Sequence, residues 1–285
     1  MIEYLSPQPG DVVIDGTLGL AGHSRLFLEK IKPNGRLIGI DLDKESLALA
    51  QESLKPCAGQ VRLDLFCDNF AGTGLILERL GLKGADVIIL DLGISSYQIE
   101  TAERGFSFGK EGSLDMRMSR DNPLDAAKVV NSYSLEDLTR IFRGYGEERN
   151  AGRIARRIVS YRQNKFITTT AELVEIIKKA APSGWQRIHP ATRVFQALRI
   201  EVNKELDNLS RFLSAFPQWL NPGGRVGIIS FHSLEDRLVK RSFREYRKNG
   251  VLEINTKKPV VPAREEEMNN PRSRSAKLRV ATKTI

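Results

Sequence analysis

The stretch Asp11-Val12-Val13-Ile14-Asp15-Gly16-Thr17-Leu18-Gly19-Leu20-Ala21-Gly22-His23-Ser24 decides the fold. Its first five residues form a short apolar run bounded by acids, which reads as a buried strand ending at Gly16. The glycine-rich remainder reads as a tight turn opening a helix. From Gly22 to Ile31 apolar residues stand at 26, 27, 28 and 31, and Pro33-Asn34-Gly35 closes that helix. Outward from this stretch the alternation repeats. Strands are predicted over 36–41, 61–66 and 85–90, with helices over about 43–54 and 71–80 between them. Strand and helix alternating at this spacing predict βαβ units, hence a parallel sheet with helices on both faces. The runs at 36–41 and 85–90 are almost wholly apolar, as in a sheet covered on both sides.

The alternation then stops. From Ser113 to Glu205 the sequence offers only helical patterns, over 135–143, 153–162, 171–180 and 192–213. Pro222-Gly223-Gly224 introduces another strand over 225–231, followed by a helix over 234–246, and 251–256 with 277–282 form a candidate closing antiparallel pair. The expected architecture is an α/β sheet domain, residues 1–112 with 206–285, interrupted by an all-helical insertion at 113–205.

The 285 residues (32.0 kDa) are 41% hydrophobic and 28% charged, with a net charge of +9, which excludes a disordered chain. No apolar run approaches the roughly 20 residues of a bilayer span, and the first residues lack a signal-peptide pattern. Cys57 and Cys67 form no C-x-x-C pair, so a reducing cytoplasm is the expected home. With only three scattered histidines, no metal site is expected. The charge is segregated. Residues 1–112 carry 11 basic and 16 acidic side chains, residues 113–205 carry 17 and 11, and residues 240–285 carry 13 and 5. The helical region and the tail are thus expected to face a polyanion, against the alternative of solvated helix faces.

A small-residue turn after the first strand lets a ligand approach the backbone and the helix N-terminal amides. Asp41 lies 22 residues beyond Gly19, at the end of the second strand, where an acid suits a ribose diol. Nicotinamide dinucleotides and S-adenosylmethionine share that geometry. The G-x-G-x-x-G register of the former is missing, and an acid four residues before the glycine, Asp15 before Gly19, is typical of the methyltransferase version. After the third strand, Asp68 or Asn69 suits an adenine edge and Phe70 an adenine face, or Phe70 simply packs. The fourth strand ends in Asp91-Leu92-Gly93-Ile94-Ser95-Ser96-Tyr97-Gln98, at the edge where ligand and chemistry meet in open sheets.

Several segments resemble, in order, the bacterial RsmH (MraW) family of 16S rRNA cytosine-N4 methyltransferases. They include Asp15-Gly16-Thr17, Gly22-His23-Ser24, Asp91-Leu92-Gly93-Ile94-Ser95-Ser96, Arg104-Gly105-Phe106-Ser107-Phe108 and Leu114-Asp115-Met116-Arg117-Met118. Tyr145-Gly146-Glu147-Glu148, His189-Pro190-Ala191-Thr192-Arg193, Ser230-Phe231-His232-Ser233-Leu234-Glu235-Asp236-Arg237 and Asn270-Pro271-Arg272-Ser273-Arg274-Ser275 continue the series. The resemblance implies a Rossmann-like class I S-adenosylmethionine-dependent methyltransferase sheet acting on 16S rRNA of the small ribosomal subunit. It places cofactor contacts on Ala21, Gly22, His23, Asp41, Phe70, Asp91 and Gln98. Two departures stand out. Ala21 occupies a position where glycine is usual, which predicts a small steric cost, and the chain begins short of a histidine-containing segment common in the family, which predicts a less covered active site.

Cytosine N4 is a poor nucleophile because its lone pair is delocalised, so an acceptor for its N–H groups and a destination for its proton are required. Asp91 is the first candidate, with the cofactor's amino group as its other reading. His232 is the second, with proton handling set against a structural cap on a helix whose N-cap is expected at Ser233. Phe106 and Phe108 are candidate wedges for a flipped base, or core residues. Arg149, Arg153, Arg156, Arg157 and Arg162 suit a phosphate-tracking stripe or salt bridges with Glu147 and Glu148. Asp115 and Arg117 suit an RNA or hinge contact. The tail cations Lys257, Lys258, Arg272, Arg274, Lys277 and Arg279 suit a backbone clamp. Rival functions are another methyltransferase substrate, a nicotinamide oxidoreductase and a non-catalytic assembly protein.

Overall fold

The computed structural model describes residues 1–180 and 189–284. The chain divides into two compact units, Met1–Ile94 with Leu206–Ile285, and Ser95–Glu205. In the first unit, β1 (Val12–Asp15), β2 (Arg36–Asp41), β3 (Arg62–Cys67), β4 (Ala85–Asp91), β5 (Leu220–Ser230), β6 (Leu252–Ile254) and β7 (Lys277–Lys283) form one sheet in the order β3-β2-β1-β4-β5-β7-β6. The pairings from β3 through β5 are parallel, and β7 runs antiparallel to both β5 and β6. The chain moves outward from β1 to β3, then returns to the other side of β1 with β4. The crevice at the carboxyl ends of β1 and β4 is therefore the topological switch point where open sheets bind ligands. This is the class I methyltransferase sheet expected above.

The residue pattern explains the layers. Val13 and Ile14, Leu37 and Ile38, and Val87 and Ile88 point alternately to the two faces. One face packs Ile14, Ile38, Ile88 and Leu90 with Phe212, Phe216 and Phe243, and the other packs Val13, Leu37 and Val87 with Phe27, Leu28 and Leu54. Each such side chain contributes roughly 1.5–3 kcal/mol when fully buried. β3 is half-exposed because it is an edge strand. The helix after β2, Lys44–Ala58, starts at Asp43, whose carboxylate accepts from the Glu45 and Ser46 amides. The helix expected over 71–80 instead opens with a 3-10 turn, Phe70–Gly72, capped by Asn69, and continues as Thr73–Arg79.

The second unit is helical, with Ser96–Glu100, Ala126–Ser132, Leu135–Gly144, Ala151–Arg162, Thr170–Ala180 and Ala191–Asn203. Residues 95–112 group with these helices rather than with the sheet. The single helix expected over 192–213 is two, Ala191–Asn203 and Glu205–Ala215, because Lys204 takes the left-handed conformation (φ 52°). Asn203, just before the break, turns its side chain into the Met116–Met118 loop, accepting from the Met118 amide and donating to the Met116 carbonyl. Gly105 shows why that region tolerates no side chain. Its φ is +69°, and a Cβ there would lie 2.1 Å from the Ser113 carbonyl oxygen. Among the described residues, no helix is long and apolar enough to cross a membrane.

Candidate active site

The turn after β1 is tied to three strands. Asp15, 2% exposed, ends β1 and accepts from the Ser24 hydroxyl (2.7 Å) and the Thr17 amide (3.2 Å). The Asp91 amide at the end of β4 donates to Thr17 Oγ1 at 2.6 Å. The Leu18 amide donates to the Ile40 carbonyl of β2 (3.0 Å), and the Gly19 amide donates to Asp41 Oδ2 (2.7 Å). Gly16 lets the turn pass beneath its neighbours, since a Cβ would lie 2.4 Å from Leu90 Cδ2 and 3.0 Å from Phe70 Cβ. Ala21 then closes the turn in the left-handed region (φ 64°, ψ 26°), fully buried, with its amide donating to the Leu18 carbonyl at 2.7 Å. The helix Gly22–Ile31 begins there with no side-chain cap, so its first amides remain available to an anion.

The charges of the crevice are unusual. Burial pushes the Asp15 carboxyl up, against the Ser24 hydroxyl bond and the nearby His23. Burial likewise pushes Asp41 up to about 6, although its two oxygens accept from the Gly19 and Asp43 amides. His23 Nε2 lies 3.2 Å from Asp91 Oδ2, and that hydrogen bond raises the imidazole pKa above its ordinary value despite partial burial. The other Asp91 oxygen, Oδ1, is buried without a hydrogen-bond partner. An orphaned carboxylate oxygen costs stability unless a donor arrives. A ligand amino group is such a donor, so the residues present fit S-adenosylmethionine.

At the end of β5, His232 is itself the N-cap of the helix Ser233–Lys248, which corrects the expected cap at Ser233. The Glu235 carboxylate accepts from the amides of Phe231 (2.9 Å) and His232 (3.3 Å), a reciprocal box that holds Ser233 at the first helical position. His232 Nε2 lies 3.2 Å from Glu235 Oε1 in a geometry that makes no hydrogen bond. Thus two of the four buried orphan atoms among the described residues, Asp91 Oδ1 and His232 Nε2, stand at the carboxyl ends of adjacent strands. Phe70 packs edge-on against Phe212 (5.8 Å, 78°) and stays partly exposed. Asp68 is exposed and Asn69 is spent on its cap.

In the helical unit, Gln98 is 4% exposed and forms a capping box with Ser95, whose amide donates to Gln98 Oε1 at 3.1 Å. Arg153, Arg156 and Arg157 lie exposed on the helix whose inner face is Ala151, Ile154, Ala155 and Ile158. Among the described residues neither they nor Arg149 forms an ion pair; the buried Glu148 accepts from the Asn150 amide and lies 3.9 Å from Arg193. Arg162 leaves the stripe, donating to the Val130 carbonyl at 2.7 Å. The wedge reading of the aromatic loop is corrected. Phe106 is 7% exposed, and Phe108 stacks on His189 (4.8 Å) and meets Phe195 edge-on. Arg117 grips both Asp115 oxygens (2.8 and 2.9 Å) and the carbonyls of Arg120 and Asn122, so this pair clasps its own loop. Burial pushes the Asp115 carboxyl up, but the Arg117 bonds outweigh it and hold it below its ordinary value.

In the tail, Arg272 and Arg274 are exposed on the 3-10 turn Pro271–Ser275. Arg279 is not part of an exposed clamp, since it is 6% exposed and bonded to Asp236 at 2.7 and 3.3 Å. Sequence reasoning did not single out Thr17 and Ser24 as the anchors of the turn. Their hydroxyls, two residues after Asp15 and nine residues after it, were the available signal.

Residues 1–284 match the sequence profile of the MraW methylase family. The ribosomal RNA small subunit methyltransferase H of Geobacter sulfurreducens is 49% identical, over 99% of this chain and 96% of its own length. That of Crocosphaera subtropica is 51% identical, over 99% and 86%, and that of Halothermothrix orenii is 45% identical, over 100% and 96%. Among solved structures, Aeropyrum pernix fibrillarin with bound S-adenosyl-L-methionine aligns at 11% identity and a TM-score of 0.40, over 96% of this chain and 67% of that one.

Proposed function

The chain belongs to the MraW methylase family, and from that premise we propose that it methylates the N4 amino group of a cytosine in the decoding region of 16S ribosomal RNA. S-adenosylmethionine, when bound, supplies the electrophilic methyl group. Methyl transfer is an in-line displacement, so positioning supplies much of the rate. The observation that carries the reading is the orphaned Asp91 Oδ1, buried at the switch point beside a turn tied to three strands.

In this reading the backbone at Ala21, Gly22 and His23 receives the cofactor, Asp41 accepts from its ribose hydroxyls, and Phe70 borders its adenine. Asp91 serves the amino-bearing end. Asp91 takes an N–H donor, drawing electron density onto the amino nitrogen, while its backbone amide keeps the carboxylate fixed through Thr17. His232, whose Nδ1 accepts from the Glu235 amide while its buried Nε2 lies beside Glu235 Oε1, is the second group we place at that edge. Arg153, Arg156 and Arg157, together with Arg272 and Arg274, hold RNA phosphates, and the helical unit is the RNA-recognition part. The substrate is the RNA within the small subunit, in the cytoplasm.

The test is transfer of labelled methyl to small subunits lacking base methylations, comparing wild type with Asp91→Ala and locating the product by nucleoside analysis. Label in N4-methylcytidine, lost in the variant, is expected. Cofactor binding without transfer to RNA would instead favour an assembly protein that kept the cofactor site.

A further inference from the structure

We propose that the outer edge of the sheet carries a second RNA contact, a basic pocket between the helix Ser233–Lys248 and β6 that holds the phosphate backbone of the substrate strand. The inference rests on the ribosomal-RNA reading above. A cavity of about 220 Å³ opens there, with Phe243 and Ile254 as its apolar floor. Lys240, Arg244 and Arg247 form one wall and Lys257, just after β6, faces them. The spacing of the three helical cations, i, i+4 and i+7, places them on one helix face.

These four cations are exposed, and among the described residues none of them has an acidic partner. Asp236, four residues before Lys240 on the same helix, is already consumed by its bonds to Arg279, the inner wall of the pocket. Like charges at i and i+4 cost a helix a few tenths of a kcal/mol, and an anion placed among them removes that cost. The cavity is below the roughly 300–1,000 Å³ of a cofactor-sized site. It suits one phosphodiester with its sugar over the partly exposed Ile254.

Strand register ties the pocket to the chemistry. Arg279 of β7 faces Ile228 of β5, and Ile228 faces Leu90, the residue before Asp91. Arg279, the inner wall of the pocket, is therefore one residue below the level of Asp91 and two strand spacings from β4, about 10 Å, while Ile254 of β6 stands level with Ile88 through Ala281 and Val226. A single strand that presents a base at Asp91 reaches this edge with its own backbone. The pocket is concave and its rim is wholly cationic, which fits a strand of separate phosphates better than a flat lipid surface.

The test uses the full chain and a fluorescein-labelled single-stranded 16S fragment containing the target cytosine, titrated at several NaCl concentrations. The triple variant Lys240→Ala, Arg244→Ala, Arg247→Ala is compared with a matched charge control, Lys30→Ala, Lys55→Ala, Lys83→Ala, three exposed lysines of the same unit. The pocket variant should lower the slope of log affinity against log salt by about 0.7, the share of one neutralised phosphate of a single strand. Its KM for RNA should rise about tenfold, with kcat and S-adenosylmethionine affinity unchanged, and Arg244→Lys with Arg247→Lys should keep the wild-type slope. Equal slopes in the pocket variant and the control, with an active wild type, would overturn the pocket alone. A wild type that neither binds nor methylates the fragment or the small subunit would overturn the ribosomal-RNA reading and the pocket with it.

Discussion

His23 Nε2 and Asp91 Oδ2 lie 3.2 Å apart, so the first turn of the helix after β1 and the last residue of β4 are joined by a charge pair across the switch point. Asp91 thereby has one oxygen committed to the protein and the other buried without a partner. Asp91→Asn should lower methyl transfer at least 100-fold. It should weaken S-adenosylmethionine binding more than tenfold only if the cofactor's amino group is the main donor to Oδ1. Single-turnover transfer and calorimetric binding on the same preparation separate the two roles.

The pair also sets a pH dependence. The His23 pKa is raised in the folded protein, so its stabilisation is fully present below the unfolded value of about 6.5 and is lost as pH rises through the folded value. Both side chains are about one-third exposed, which limits the effect to about 1 kcal/mol. The difference in unfolding free energy between wild type and His23→Ala should shrink from about pH 6 to about pH 9. A difference that grows over that range would contradict the pairing.

Asp41 behaves in the opposite sense from an ordinary surface acid. Its folded pKa of about 6 lies above the unfolded value, so the folded chain holds the proton longer and ionisation costs stability as pH rises through that window. In the function proposed above, the ionised form is the one that accepts the ribose hydroxyls. S-adenosylmethionine affinity should fall as pH drops below about 6, and Asp41→Asn should bind weakly with that step removed. Calorimetry from about pH 5 to about pH 8 checks both statements.

Ala21 is an L-residue held in a glycine-like conformation, which costs about 1–2 kcal/mol. Ala21→Gly removes that strain and gives back part of it as unfolded-chain entropy, about 0.5–1 kcal/mol. The net expectation is a gain of up to about 1 kcal/mol in thermal unfolding, with cofactor affinity equal or better. A lower unfolding midpoint would show that the methyl group packs more favourably than its backbone suffers.

The exposed stripe on Ala151–Arg162 yields a kinetic expectation. Arg153→Ala, Arg156→Ala and Arg157→Ala together should raise KM for RNA by about tenfold while leaving kcat within twofold, since phosphate contacts position the strand without touching the reacting atoms. The helix should stay intact, because its buried face is Ala151, Ile154, Ala155 and Ile158. Circular dichroism and steady-state kinetics on the triple variant are sufficient.

The alternation of apolar strands and amphipathic helices was legible because β2 and β4 are buried along four consecutive residues, a one-dimensional signal. What escaped depends on contacts between residues distant in sequence. The break at Lys204 follows Asn203, whose partners lie 85 and 87 residues away at Met118 and Met116. The burial of Arg279 depends on Asp236, 43 residues earlier. Two local signals were present but passed over. Ser95 with Gln98 is a capping box, and His232 with Glu235 is another, in which a ring nitrogen replaces the usual hydroxyl.

In the sheet β4 and β5 are neighbours, with Asp91 facing Ile229, yet the helical unit separates them in the chain. During synthesis at about 5–20 residues per second, the ribosome needs on the order of ten seconds to pass from β4 to the end of β5. Through that interval the newborn half-sheet presents β4, apolar along Val87 to Leu90, as an open edge. Such an edge is a template for strand addition by other chains. The nascent protein thus depends on shielding until its fifth strand emerges, and a slow codon between the two would lengthen the exposure without altering a single residue.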